Sequence, residues 1–161
     1  MTTPEYSYIT AHTDTDFEMA ADLFREYAAS LDFDLGFQNF EAELQQLDRQ
    51  YGLPEGGLIL VLEPETSLVV GCVGVRKLEG RIGELKRMYI RDAHRGKGIG
   101  KGLMDKALQL TRELGYTRLR LDTIGTMKAA IALYQQVGFY EIEAYRHNPN
   151  ADAKYMEIML I

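Results

Sequence analysis

The chain has 161 residues, and its composition of 46% hydrophobic and 26% charged residues is typical of one folded domain with its own core. No apolar run approaches the roughly 18 residues that a membrane-spanning helix needs, and the N-terminus lacks the basic-then-apolar order of a secretory signal. We therefore expect a single domain over residues 1–161, located in the cytoplasm and without a membrane partner.

Charge is unevenly distributed along the chain. The net charge is −6, yet residues 86–101 contain six lysines and arginines and one aspartate, a local charge of +5. A basic segment on an acidic chain favours one bound polyanion of limited size over a nucleic-acid surface, which the acidic remainder would repel. We therefore expect no nucleic-acid partner.

The cysteine and histidine content argues against disulfide and metal chemistry. Cys72 is the single cysteine and stands in an apolar run, so no intrachain disulfide can form. The three histidines, His12, His94 and His147, share no ligand spacing. We expect no metal site and no cysteine nucleophile.

The first half of the chain predicts strands that are covered by helices. Residues 6–10 alternate as a strand, a helix capped by residues 13–16 follows, and a second helix runs from about residue 39 to 48. Residues 58–62 and 67–76 form an antiparallel pair in which both strands are apolar almost continuously. A sheet buried on both faces needs helices on each side, so we expect an α/β domain.

The second half alternates strands and helices. Residues 83–90 are a strand, a glycine-rich turn leads into a helix over about 98–114, and residues 118–123 are the next strand. This order predicts a right-handed crossover between parallel neighbours. The remaining elements are a helix at 127–137 and two closing antiparallel strands at 139–146 and 154–161.

The turn between strand and helix has the composition of an anion-binding loop. It reads Arg95-Gly96-Lys97-Gly98-Ile99-Gly100-Lys101, and its alternating glycines allow backbone N–H groups to converge on a ligand. The helix that follows directs its unpaired N–H groups and the positive end of its dipole to the same place. A phosphate or pyrophosphate is the expected ligand.

Two common phosphate loops do not fit this turn. A dinucleotide fingerprint requires a third glycine three residues after the second, where this chain has Lys101 or Leu103. A Walker loop requires a glycine at position 95 and a serine or threonine at 102, where this chain has Arg95 and Gly102.

Two segments resemble a known family in the same order. The pattern R-x-x-G-x-G at 95–100, between a strand and a helix, is similar to the acetyl-CoA loop of the GCN5-related N-acetyltransferases (GNAT). The segment 130–139 resembles the family's second signature, A-x-x-L-Y-x-x-x-G-F. The likeness is close from about residue 57 to the end, and it covers the first 56 residues by element order alone.

The resemblance implies a fold and an activity. The fold is that of acyl-CoA N-acyltransferases, a mixed central sheet of about seven strands that splays between the fourth and fifth strands, with about four helices on both faces. The activity is transfer of an acetyl group from acetyl-CoA to a primary amine of a small molecule or a protein, by direct attack in a ternary complex. Homodimers are common in such folds.

The resemblance also assigns the cofactor contacts. The strand before the loop commonly carries a bulge, and backbone groups of Met88, Tyr89 and Ile90 would bind the pantetheine arm along the splay. The loop from Arg95 to Lys101 would bind the pyrophosphate. Met127 stands where many relatives have an asparagine that helps to hold the cofactor, so Met127 is not assigned that role.

Two residues are candidates for acid–base catalysis. Tyr134 matches the family position whose phenol protonates the departing thiolate, although its helical spacing also suits a core tyrosine. Glu84 is the candidate general base, and we expect partial burial to raise its pKa; alternatively, it pairs with Lys86 or with a cation of another strand.

Several alternatives stay open at this level. The apolar loop at 31–37 either fills the core or forms a lip over the acceptor site, since relatives vary this region with substrate. Tyr140, Tyr145, Tyr155 and Met156 either line the acceptor cavity or pack in strands. The protein could also be a non-catalytic acyl-CoA sensor or scaffold, or use a longer acyl-CoA.

Overall fold

The computed structural model describes residues 5–31, 35 and 39–160. Its elements in chain order are β1 (Ser7–Thr10), α1 (Asp14–Ser30), α2 (Phe40–Leu44), α3 (Leu47–Gln50), β2 (Gly57–Leu62), β3 (Val69–Glu79), β4 (Ile82–Ile90), α4 (Ile99–Glu113), β5 (Arg118–Ile124), α5 (Lys128–Val137), β6 (Tyr140–Ile142) and β7 (Ala153–Met159). The strands of the described ranges form one seven-stranded sheet in the order β1-β2-β3-β4-β5-β7-β6. Among these described strands, only the β4–β5 pair is parallel, so the sheet is mixed, as predicted.

Helices cover both faces of this sheet. Along β2, Leu58 and Leu60 pack in one apolar cluster with α1, α2 and α3, whereas Ile59 and Val61 pack in a second cluster with α4 and α5. Successive side chains of a strand point to opposite faces, so a continuously apolar strand needs cover on each side. None of the helices in the described ranges is long and apolar enough to cross a membrane.

Two elements differ from the sequence-based prediction. The single helix expected over 39–48 is wrong: the backbone of Gln46 leaves the helical region with φ −131° and ψ 28°, and two short helices, α2 and α3, result. The strand expected over 139–146 ends at Ile142, where the chain leaves the sheet and carries Tyr145 and Arg146 to Glu84. The described helices therefore number five rather than about four.

A bulge in β4 and an early end to its parallel pairing create a fork in the sheet. The register with β3 shifts between Cys72 and Gly74, and Arg87, within the bulge, has φ +59°. Pairing with β5 ends at Glu84 and Arg120, and beyond these residues no β4–β5 pairs are formed. The predicted splay between the fourth and fifth strands is thus confirmed.

Candidate active site

A cavity of about 610 Å³ lies in the fork between β4 and β5. Its walls come from both strands, from α1, from α5 and from the glycine-rich loop. The lining includes Tyr27, Ser30, Leu35, Leu85, Lys86, Arg87, Met88, Tyr89, Ile90, Arg95, Gly96, Gly100, Leu121, Asp122, Thr123, Ile124, Thr126, Met127, Lys128, Ala129, Ala130, Leu133, Tyr134 and Asn148. A cavity of this size suits a small-molecule site.

The glycine-rich loop delivers the start of α4 to this cavity. Gly96 and Gly98 have φ values of +78° and +81°, and a Cβ at either position would have no heavy atom within 4 Å. Gly98 is the N-cap of α4. Because glycine has no side chain, the N-cap residue forms no side-chain hydrogen bond to the first amides of the helix. These unpaired donors and the helix dipole make the loop suitable for an anionic group.

Arg95 has a structural role in the same loop. Its Nε donates to the Ile90 carbonyl at 3.0 Å, and its guanidinium pairs with Asp92 at 2.9 Å. The side chain therefore ties the loop to the end of β4, although it also reaches the cavity wall.

Six of the ten predicted cofactor residues line the cavity, namely Met88, Tyr89, Ile90, Arg95, Gly96 and Gly100. Lys97 and Gly98 are exposed beside it. Ile99 is buried in the core, so it can offer only its backbone to a ligand. Lys101 is exposed and lies 3.7 Å from Asp105 on α4. The part of each residue in cofactor binding stays a prediction.

Tyr134 lies on α5, where it belongs to the core and also forms part of the cavity wall. Its ring packs against Phe139 with 5.7 Å between the ring centroids. Burial, with smaller contributions from Tyr27 and Asp122, raises the pKa of the phenol above its ordinary value. The hydroxyl is therefore protonated at neutral pH, which a proton donor requires.

Glu84 is completely buried and surrounded by hydrogen-bond donors. Its Oε1 accepts from Arg76 Nε at 3.1 Å, and its Oε2 accepts from the Tyr145 hydroxyl at 2.8 Å and from the Arg146 guanidinium. Burial by itself would raise the pKa of Glu84, but the charges of Lys86, Arg146 and Arg76 outweigh it and lower the pKa.

The expected rise in the pKa of Glu84 is therefore wrong. Glu84 is also not among the residues that line the cavity. A base role for Glu84 stays a prediction, and the donors that occupy both of its oxygens weigh against it.

Lys86 and Asp122 form a buried pair at the point where the fork opens. Each is two residues beyond the last β4–β5 pair, Lys86 Nζ is 3.5 Å from Asp122 Oδ1, and both side chains line the cavity. Burial lowers the pKa of Lys86 to about 8, against the opposing effect of Asp122 and Glu84. The sequence-based reasoning missed this pair, because the two residues are distant in the chain and lie side by side only where β4 and β5 stop pairing.

Asp122 Oδ2 is the unusual atom of this pair. It is buried, and it accepts no hydrogen bond from any residue in the described ranges. Buried polar atoms in native proteins are nearly always hydrogen-bonded, so an unpartnered carboxylate oxygen in a cavity wall marks a place for a ligand or a water molecule.

Of the four candidates in the closing segment, Tyr145, Tyr155 and Met156 pack against neighbouring residues and Tyr140 is partly exposed, and none of the four is among the cavity-lining residues. Tyr145 donates to Glu84, and Tyr155 donates to the Arg146 carbonyl at 2.8 Å.

In the apolar loop after α1, Leu35 is buried and lines the cavity, whereas Phe33 and Phe37 lie outside the described residues. The choice between a core plug and an acceptor lip stays open for these two phenylalanines.

Three further observations concern the predicted chemistry. Cys72 is buried, its thiol donates to the Arg87 carbonyl at 3.4 Å, and burial raises its pKa. Met127 stands at the N-cap position of α5, and its side chain forms no hydrogen bond to the amides of the helix. The Thr123 hydroxyl lies 3.6 Å from the Met127 sulfur. Among the described side chains, no three His, Cys, Asp or Glu are grouped to hold a metal ion.

Comparison with known proteins assigns the class. Residues 17–139 match the acetyltransferase (GNAT) family. An uncharacterised N-acetyltransferase of Schizosaccharomyces pombe is 38% identical over 144 residues, covering 89% of this chain and 86% of the relative. A GNAT-family acetyltransferase structure from Staphylococcus aureus has a TM-score of 0.78 at 21% identity, covering 98% of this chain and 100% of that one.

The structure of yncA from Salmonella typhimurium, solved with its cofactor acetyl-CoA, has a TM-score of 0.69 at 16% identity and covers 97% of this chain and 94% of that one. These likenesses agree with the forked sheet and the glycine-rich loop. The chain belongs to the GNAT family and is one of its N-acetyltransferases.

Proposed function

We propose that the protein transfers an acetyl group from acetyl-CoA to a primary amine, by direct attack in a ternary complex. The observation that carries this proposal is the continuity of the cavity, which joins the glycine-rich loop, the part of β4 that does not pair with β5, and Tyr134. One molecule that has a diphosphate, an extended amide-containing arm and a thioester matches this sequence of features.

The chemistry of the cavity walls supports acetyl-CoA as the donor. Amides at the start of α4, which no N-cap side chain bonds, suit the diphosphate, and exposed Lys97 adds positive charge. Backbone groups of Met88 to Ile90 are free of β5 and can bond to the amides of the arm. The yncA structure was solved with acetyl-CoA, and it has the same fold.

Tyr134 supplies the proton for the leaving thiolate in this proposal. When bound, acetyl-CoA supplies an acyl carbon with a thiol leaving group. The Tyr134 hydroxyl stays protonated because burial disfavours the phenolate. A proton donor at this position lets the thiolate leave as a thiol without a covalent acyl-protein intermediate. The acceptor is a primary amine of a small molecule or a protein.

Calorimetric titration of coenzyme A into Gly98→Asp tests the loop assignment. An aspartate at the N-cap bonds to the first amides of α4 and places a negative charge where the diphosphate would lie. We expect the dissociation constant for coenzyme A to rise at least about 100-fold, the scale of losing charge-assisted contacts.

Gly115→Asp is the matched control for this variant. Gly115 also has a positive φ, +89°, and a Cβ there would have no heavy atom within 4 Å, but it follows the other end of α4. It therefore reproduces the backbone strain without the charge at the loop. Equal losses in both variants, or no loss in Gly98→Asp, would refute the loop assignment.

Thiol release separates the catalytic proposal from its alternatives. An N-acetyltransferase releases coenzyme A from acetyl-CoA when a suitable amine is present. Binding of coenzyme A without thiol release across an amine panel would favour the acyl-CoA sensor. Faster release from longer acyl-CoA thioesters would favour a different acyl donor.

A further inference from the structure

We propose that Asp122 binds the amino group of the acceptor and takes a proton from it during acyl transfer, so that Asp122 is a catalytic residue of this enzyme. The inference rests on the proposed function and adds the group that recognises the acceptor. The ligand class is a primary amine, which enters the fork as an ammonium ion or as the free base.

The position of Asp122 supports this role. It lies on β5 two residues beyond the last pair with β4, so its side chain stands where the two strands separate. Tyr134 lines the same cavity. An amine at Asp122 would therefore share the cavity with the proposed proton donor.

The hydrogen-bonding state of Asp122 gives the second argument. Oδ1 lies 3.5 Å from Lys86 Nζ, whereas Oδ2 has no partner among the described residues. An unsatisfied buried polar atom destabilises the folded protein, and more so when it is charged. An ammonium or amine N–H donor removes this destabilisation, because it supplies the hydrogen bond that the protein leaves out.

Glu84 makes an instructive comparison, since it is the other buried carboxylate of the fork. Both of its oxygens are occupied by arginine and tyrosine donors, and it lies outside the cavity wall. A carboxylate that already accepts from Arg76, Tyr145 and Arg146 has little capacity for a substrate proton. Asp122, by contrast, has an oxygen that accepts no hydrogen bond from a described residue, and it lines the cavity.

With Asp122 as proton acceptor and Tyr134 as proton donor, the bonds and protons of the acyl transfer can all be accounted for. Only the free-base amine can attack, so an amine that enters as an ammonium ion first releases one proton to solvent. Its nitrogen then attacks the thioester carbonyl, so that a C–N bond forms and the C–S bond breaks. One nitrogen proton passes to Asp122 Oδ2, and the Tyr134 hydroxyl proton passes to the sulfur. Transfer of the proton from Asp122 to the Tyr134 phenolate, directly or through water, restores both groups and leaves an amide and a thiol.

The test compares Asp122→Asn with the wild type in two measurements. The first is calorimetric titration with coenzyme A. The second is thiol release from acetyl-CoA with three defined primary amines, namely putrescine, L-lysine and glycinamide. We expect kcat/KM for the best amine to fall at least about 100-fold, as for loss of a general base, while the dissociation constant for coenzyme A changes less than about threefold.

Two further variants keep the result interpretable. Lys86→Met/Asp122→Asn removes the whole pair and leaves no unpaired buried charge, so it remains informative if the single variant fails to fold. It should be as inactive as the single variant. Glu157→Gln is the control: Glu157 is a buried carboxylate on β7 that accepts from Arg120 and Tyr140, is not among the cavity-lining residues, and should keep its kcat/KM.

The outcomes separate this inference from the proposed function. Normal binding of coenzyme A with undiminished kcat/KM in a folded Asp122 variant would overturn the inference and leave the proposed function intact. Normal binding in the wild type with thiol release from none of the three amines would count against the proposed function itself, and the inference that rests on it would be overturned with it. Absence of coenzyme A binding in the wild type would instead refute the proposed function.

Discussion

Glu43 and Arg87 form a two-pronged ion pair inside the protein. Arg87 Nε lies 3.0 Å from Glu43 Oε2, Nη2 lies 2.9 Å from Oε1, and both side chains are 2% exposed. Arg87 lies in the β4 bulge and has the positive φ, and Glu43 lies on α2. The pair therefore connects a helix on one face of the sheet to the bulge beside the fork.

Glu43→Gln should lower the free energy of unfolding by about 3 kcal/mol, because the Arg87 guanidinium would stay buried without a counter-charge. Denaturation in urea measures the difference. The control is Asp105→Asn, which breaks the exposed pair with Lys101 and should change stability by less than about 1 kcal/mol. Equal effects in the two variants would show that the buried pair has no special contribution.

Tyr134→Phe should reduce kcat by about 10²-fold or more while the affinity for coenzyme A is nearly unchanged, since only the proton donor is lost. Because burial raises the pKa of Tyr134, its ionisation should not limit the rate near neutral pH. Steady-state kinetics and calorimetry on the same preparation provide the measurement. Tyr155→Phe, which removes a hydroxyl bonded to the Arg146 carbonyl, is the matched control. Unchanged turnover in Tyr134→Phe would remove its acid role.

Glu84→Gln should affect stability more than catalysis, because Glu84 compensates the buried charges of Arg76 and Arg146. The pKa of Glu84 is lowered in the folded protein, so its stabilising contribution is present above its ordinary value of 4.5 and is lost as the pH falls through the folded value. The stability gap between wild type and Glu84→Gln should be largest at pH 7 and should narrow below about pH 4.5. A fall in kcat of about 100-fold would instead support the base role.

Lys86→Met should alter the alkaline dependence of stability. The folded pKa of Lys86 is about 8 and its ordinary value is 10.5, so the unfolded chain binds more protons between these values and stability rises with pH there. The wild type should gain about 2 kcal/mol relative to Lys86→Met between pH 7 and pH 10. Urea denaturation at several pH values measures the gap, with the exposed Lys106→Met as control. A gap that does not vary with pH would contradict the lowered pKa.

Much of the fold follows from local sequence patterns. The capping box at Thr13 and Asp16 begins α1, where Asp16 N–H donates to the Thr13 hydroxyl at 3.1 Å. The apolar stripe of α4 and the alternation in β5 are likewise local signals, and these elements lie where the pattern predicts them. The break at Gln46 had no such signal, because no glycine or proline marks it.

Only part of the candidate site could be predicted from the sequence, and the reason is physical. The glycine-rich loop and the tyrosine of α5 stand in short continuous motifs, so their spacing already points to a phosphate loop and a family resemblance. The environment of a buried carboxylate depends instead on donors that are distant in sequence. Arg76, Tyr145 and Arg146 reach Glu84 from β3 and from the segment after β6.

By itself, the sequence determined the order of strands and helices, the glycine-rich loop at 95–101 and the family, because each depends on residues that are close together in the chain. The tertiary structure alone decided which carboxylate faces the cavity. Glu84 is neutralised by arginines brought from other segments, whereas Asp122 keeps an oxygen without a described partner in the fork. That difference depends on where β4 and β5 stop pairing, and no local pattern encodes the distance between two strands.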